Sequence, residues 1–151
     1  MIDTSIELRG WIARAAVIEP LAATWLDDYE KYGLEVYPES PHEYDEIEQR
    51  IDMLKYMNPI QLDNPDVVER YTRKDSVIKG KAICFESLHR PKLSKELKEL
   101  GRDEALIGHH VAVTGNIQIH KDGNVYLSAH LITAIPDPSP ELFEEIEDDG
   151  F

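Results

Sequence analysis

Five of the six histidines, His89, His109, His110, His120 and His130, fall between residues 70 and 136. Imidazoles in that number raise metal chemistry first, but their spacing argues against it. His109 and His110 are neighbours, so in a strand they point to opposite sides, and no carboxylate stands at ligand spacing. Cys84 is alone and lies between Ile83 and Phe85, the setting of a small core residue rather than a nucleophile. A lone cysteine forms no internal disulfide and fits a reducing compartment. No glycine-rich phosphate loop, paired-cysteine zinc spacing or nucleophile elbow occurs. Acids crowd residues 41–57, but at helical spacing they make a solvated face. The sequence therefore predicts no catalytic residue, no metal and no cofactor.

Cations and rings offer more. Lys79, Lys81, Arg90, Lys92, Lys95, Lys98 and Lys121 share one segment with the histidines, and Phe85 and Tyr126 fall among them on strand-like runs. Single-stranded nucleic acid asks for that combination: cations for phosphates, and flat rings on which bases stack at about 1–3 kcal/mol each. The candidate contacts are Lys79, Lys81, Phe85, Arg90, Lys92, Gln118, His120, Lys121, Tyr126 and His130. The plainer reading, that Phe85 and Tyr126 cover the edge of a barrel, fits the pattern equally well. The formal charge of −14 is unevenly spread. Residues 1–69 hold 16 acids and 5 bases (−11), residues 70–136 hold 7 acids and 11 bases (+4), and residues 137–151 hold 7 acids and no base (−7). Such asymmetry suggests a locally basic surface on an acidic protein with a separate acidic tail.

The elements that must position these groups centre on residues 105–136. Val111, Val113, Ile117 and Ile119 alternate with Ala112, Thr114, Asn116, Gln118 and His120, with Gly115 in an apolar slot; period two indicates a strand with one buried face. Val125, Leu127, Ala129 and Leu131 repeat the pattern against Tyr126, Ser128, His130 and Ile132. Lys121-Asp122-Gly123 between them is a turn signal. A three-residue loop pairs Ile119 with Val125 and Ile117 with Leu127, and on the polar face Gln118 with Tyr126, Asn116 with Ser128 and Thr114 with His130.

Earlier in the chain, residues 5–18 read as a long curved strand, with Gly10 at a bulge or bend and Pro20 as its stop. Residues 31–37 make a second strand. Ser40, Pro41 and Glu43 form a capping box for a helix to about Met57, whose stripe Tyr44, Ile47, Ile51 and Leu54 faces the core. Asn64-Pro65 opens a short helical segment through Arg70. Residues 76–85 read as one strand with Val77, Lys79, Lys81, Ile83 and Phe85 on its outer face. Residues 94–100 form a short helix capped by Ser94 and ended by Gly101. Pro136, Pro138 and Pro140 end regular structure, and the acidic remainder is expected to be disordered.

The fold class that follows is mainly β with inserted helices: a small five-stranded barrel of the oligonucleotide-binding (OB) type over residues 1–136, and an acidic interaction tail over 137–151. With no apolar run of membrane-spanning length and no leader-like start, the chain is expected in the cytoplasm.

The order of features resembles the acidic-tailed single-stranded DNA-binding proteins that bacteriophages use in replication and recombination. IARAAVIEPL is similar to their first barrel strand and the loop after it, and EKYGLEVYP with the acidic amphipathic helix to their second strand and inserted helix. KAICFESLHRPKL and ALIGHHVAVTGNIQIHKDGNVYLSAHLITAI resemble their later strands, and EEIEDDGF their tail. The resemblance implies sequence-independent binding of single-stranded DNA. It also implies a tail, with Glu144, Glu145, Glu147, Asp148, Asp149 and Phe151, that competes with DNA and recruits a polymerase, helicase or nuclease. Homodimerisation stays open. The rival expectation is an acidic inhibitor or immunity protein that mimics DNA towards a basic protein partner, resting on the total charge and the −11 of residues 1–69.

Overall fold

A computed structural model of the chain describes residues 4–21, 31–57, 77–119 and 125–137, with side chains for all of these except 55–57, 79 and 119. The Asn64–Arg70 segment, the 121–123 turn and the acidic tail, Glu144 to Phe151 included, lie outside the described residues. The strands are β1 (Ser5–Leu21), β2 (Lys31–Pro38), β3 (Ile78–Lys79), β4 (Ala82–Ser87), β5 (Lys92–Leu93), β6 (His110–Ile119) and β7 (Val125–Ala134). Helix α1 is His42–Met57, α2 is the single turn Lys95–Lys98, and a 3₁₀ turn spans Asp103–Leu106. All seven strands form one sheet in the order β3-β4-β2-β1-β6-β7-β5. Mainly β with inserted helices is what the sequence predicts, and five strands longer than two residues build the body. The sheet is not closed into a barrel: among the described residues no ladder joins its two ends.

β1 is shared by both halves. It runs antiparallel to β2 from Gly10↔Pro38 to Leu21↔Lys31, and to β6 from Ser5↔Asn116 to Trp11↔His110. Past Trp11 its β6-side edge has no strand to pair with, and backbone donors left without partners are costly. The chain between α2 and β6 covers that edge instead. Ile12 N–H donates to His109 O (3.0 Å), and Gly108 N–H to Ile12 O (2.8 Å). Further along, the Asp103 carboxylate accepts from the backbone N–H groups of Val17, Ile18 and Glu19 at 2.8, 2.9 and 3.0 Å. One side chain stands in for the missing strand.

Two expectations for β1 are corrected here. Pro20 does not end it, because beyond Ala16 the ladder to β2 is interrupted until Leu21, so the missing N–H forfeits no ladder bond. Gly10 is not a bulge, for the irregularity falls between Ile12 and Arg14. Glycine is required at position 10 by close packing, since a Cβ there would lie 2.1 Å from Tyr37 O.

The core follows the inward positions: Ile6, Leu8, Ile12 and Val17 of β1, Leu34 and Val36 of β2, Val111, Val113 and Ile117 of β6, and Val125, Leu127, Ala129 and Ile132 of β7. Branched side chains buried to this degree contribute on the order of 1.5–3 kcal/mol each. The α1 stripe packs there as expected, with Ile47, Ile51 and Leu54 buried and Tyr44 against them. The Tyr44 hydroxyl also donates to Lys81 O. Ser40 caps α1 through His42 N–H at 3.2 Å, but among the described residues Glu43 returns no bond, so the capping box is half made. Ser94 is no side-chain cap for α2; its hydroxyl accepts from Ala134 N–H at 3.0 Å and ties α2 to the end of β7.

The 76–85 stretch is a hairpin rather than one strand: Gly80, at φ 63°, turns β3 back onto β4. Val77, Ile83 and Phe85 therefore face the core, at 0, 0 and 2% exposure. Phe85 as an outward aromatic is corrected.

In the β6–β7 hairpin the expected register holds for Ile119↔Val125, Gln118↔Tyr126, Ile117↔Leu127 and Asn116↔Ser128. It then slips. Gly115 pairs with Ala129 and Thr114 with Leu131, leaving His130 as the extra residue of a bulge, not the partner of Thr114. After the slip Ile132 is buried and Leu131 is exposed, the reverse of strict alternation. A Cβ on Gly115 would stand 1.9 Å from Ser128 O, so only glycine admits β7 this closely.

Asp103→Ala should lower the unfolding free energy by about 1–2 kcal/mol, because two part-buried donors lose their acceptor while the exposed Glu19 N–H turns to water, as read by urea denaturation. Glu43 gives a pH-dependent expectation. Partial burial, then Glu46, Glu39 and Glu7 nearby, push its carboxyl up. The folded state thus holds the proton more tightly than the unfolded chain, and ionisation costs stability as pH rises. Glu43→Gln should raise the urea midpoint slightly near neutral pH, the gain fading as pH falls through the carboxylate range.

Candidate nucleic-acid interface

Where the sheet stays open, β4 and β7 are joined by one side chain. The Ser87 hydroxyl accepts from Ala129 N–H at 2.9 Å and donates to Ala129 O at 3.4 Å. Above this seam lies a groove of about 390 Å³, lined by Lys31, Glu86, Ser87, Leu88, His89, Gln118, Tyr126, Ser128, Ala129 and His130. β6 and β7 supply Gln118, Tyr126, Ser128 and His130, and the chain leaving β4 supplies Leu88 and His89. The bulge sets His130 on the exposed side, where its Nε2 accepts from the Asn116 amide at 2.8 Å. Leu88, 60% exposed, is an apolar wall without cover among the described residues. Lys31 and Glu86 lie 4.0 Å apart, so the groove is polar and aromatic rather than strongly cationic.

The positive charge lies next door. A second cleft, of about 450 Å³, is lined by Val17, Ile18, Pro91 and Leu93 together with Arg90, Lys92 and Lys98, with no acid in its lining. Arg90 Nη2 donates to Ile18 O at 2.9 Å, and its guanidinium lies 5.3 Å from the centroid of the Tyr32 ring. Cation–ring contact of this kind holds the guanidinium plane in place. Residues 88–90 connect the two clefts, His89 facing one and Arg90 the other.

The ten candidate contacts are thus divided. Gln118, Tyr126 and His130 come together in the groove, and Arg90 and Lys92 in the basic cleft. Lys81 is exposed at the β3–β4 turn, away from both linings, and Lys79 is placed only as a backbone position in β3. Phe85 is in the core. His120 and Lys121 lie outside the described residues. Sequence reasoning missed Lys31, Leu88 and Ser128 as groove residues. An exposed leucine in a polar loop ahead of proline was the signal available for Leu88, whereas Lys31 and Ser128 carry none, because tertiary folding alone brings β2 and the polar face of β7 to the seam.

The remaining histidines serve elsewhere. His110 is buried and stacks on Trp11, ring centroids 4.8 Å apart. Its Nδ1 meets Pro136 O at 2.7 Å and its Nε2 the Glu39 carboxylate, which pins the chain after β7. Among the described residues no three His, Cys, Asp or Glu side chains converge as a metal group.

No family model and no curated sequence matches this chain. Solved structures do, and they share the fold of a phage single-stranded DNA-binding protein. Two are of the single-stranded DNA-binding protein from bacteriophage Enc34, each 14% identical to this chain and aligned over 91% of it. The one in complex with single-stranded DNA is covered over 89% of its length at a TM-score of 0.59. The other, a C-terminal truncation, is covered over 88% at 0.55. The resemblance drawn from the sequence is met at the level of fold across nearly the whole chain.

Proposed function

We propose that this chain binds single-stranded DNA, in the replication or recombination of a phage and within the host cytoplasm, and that it acts by binding rather than by catalysis. The carrying observation is a groove at the open β4–β7 seam holding Tyr126, Gln118, His89 and His130, with a cleft beside it holding Arg90, Lys92 and Lys98, on a fold shared with a protein described as binding single-stranded DNA. Bases would stack against Tyr126, while the adjoining cations meet phosphates, contacts that carry no sequence information. No described helix is long and apolar enough to cross a membrane.

The acidic tail, residues 137–151, takes two roles in this reading. With seven acids and no base it competes with DNA for the basic cleft, and once displaced it offers Phe151 and its acidic neighbours to a polymerase, helicase or nuclease. Reach permits this. Leu93 of the basic cleft pairs with Ile132 of β7, about 13 Å along the chain from Pro136 at about 3.3 Å per residue, and fifteen extended residues span up to about 50–54 Å.

Titrating full-length protein with oligo-dT while following anisotropy tests the binding claim. Three phosphate contacts would give a slope of log K against log salt of about −2, and Tyr126→Ala should weaken binding about five- to a hundredfold, the equivalent of one lost stack. An acidic inhibitor would ignore the oligonucleotide at every salt concentration. Removing residues 141–151 should tighten binding at low salt, with the gain vanishing as screening increases; unchanged affinity would remove the competing tail and leave the binding claim standing.

A further inference from the structure

Ser128 lies on the outward face of β7, yet it is only 6% exposed and lines the groove at the seam. Buried hydroxyls are nearly always bonded, and Ser87 across the groove bonds both polar groups of Ala129. Ser128 does not follow suit: among the described residues its hydroxyl has no partner. Its cross-strand neighbour Asn116 is turned to His130 instead. Gln118, next to it along the same face, is exposed, and among the described residues nothing is shown bonded to its amide. The groove therefore has an apolar and aromatic wall in Leu88 and Tyr126, and a polar floor in Gln118 and in Ser128, whose hydroxyl has no partner among the described residues. Its 390 Å³ falls in the range of about 300–1,000 Å³ in which small-molecule sites lie.

This combination selects an occupant. An apolar group would leave a buried hydroxyl unpaired. A phosphate would meet Glu86, whose carboxylate already faces the nearest groove lysine, Lys31, at 4.0 Å. A nucleobase satisfies both parts, with flat faces for the walls and donors and acceptors along its edge. Resting on the single-strand reading of this groove, we propose that it takes one base edge-first. The Ser128 hydroxyl and the Gln118 amide hydrogen-bond that edge, so one position of the bound strand is base-selective while the rest is held through phosphates and stacking.

The test is anisotropy titration of the full chain with dT, dC and dA oligonucleotides of equal length, in the wild type, Ser128→Ala and Gln118→Ala. The wild type should rank the three bases with a spread of about five- to tenfold, as for one hydrogen-bonded base edge. Ser128→Ala should flatten the ranking, and Gln118→Ala, at an exposed position that folding does not need, should narrow it. Equal wild-type affinity for the three oligonucleotides, or a ranking that survives both substitutions, overturns the base pocket and leaves single-strand binding intact. Failure to bind any of them removes the single-strand reading and the base pocket together.

Discussion

A seventeen-residue strand has two edges to satisfy, and the way β1 does so orders the rest of the sheet. β2 takes one edge, but β6 covers only the first seven residues of the other. Without Asp103, three consecutive donors at Val17, Ile18 and Glu19 would lack their only shown acceptor. A carboxylate suits this task because charge-assisted bonds are stronger than neutral ones. The same contact fixes the path into β6: held by Asp103 at one end and by the Gly108–Ile12–His109 exchange at the other, the segment delivers His110 opposite Trp11. The register of β6 against β1, and so the position of the whole hairpin, is set there.

From that placement the open seam follows. β7 is carried round until Ala129 reaches Ser87, while the two-residue β5 occupies its edge further along, at Leu131 and Ile132. Between them the edges of β4 and β7 are close enough for a hydroxyl to bridge but are not laddered. Phe85 takes part in this geometry. At 2% exposure it anchors β4 in the core and so aims Glu86, Ser87 and Leu88 along the seam. A ring expected to touch a ligand instead holds the wall that would.

Period and turn chemistry made much of this legible in the sequence: the amphipathic stripe of α1, a long first strand, and the hairpin register down to Asn116↔Ser128. Two local events and one long-range effect defeated them. Gly80 turned a run that reads as one strand into a hairpin, and β4 is covered on both faces, Ile83 and Phe85 as well as Ala82 and Cys84 being buried. The bulge at His130 shifted the phase of β7, so Ile132 rather than Leu131 is buried, and a period-two pattern carries no mark of such a slip. The partners of Ser94 and Asp103 lie 40 and up to 86 residues away, beyond any local cap or turn signal. Gln118, Tyr126 and His130, expected together, lie together because they share one strand pair. Lys31 and Ser128 were missed because their significance depends on which other strand arrives beside them.

The charge of −14 looks at odds with a polyanionic ligand, but what counts is charge within a screening length. At physiological ionic strength that is about 8 Å; Arg90, Lys92 and Lys98 line one cleft together, and Asp103, the acid beside it, spends its carboxylate on the backbone N–H groups of Val17, Ile18 and Glu19. Acidity elsewhere on the chain does not by itself cancel a local cluster of cations. The tail is the exception because it is tethered. On the proposed reading its acids compete for the same cations electrostatically, so added salt weakens them, but they do so at an effective concentration set by the short chain joining them to Pro136. Pinning that chain through His110 to Pro136 O and Glu39 fixes where the tether starts, and with it the distance the tail must cover to reach the cations.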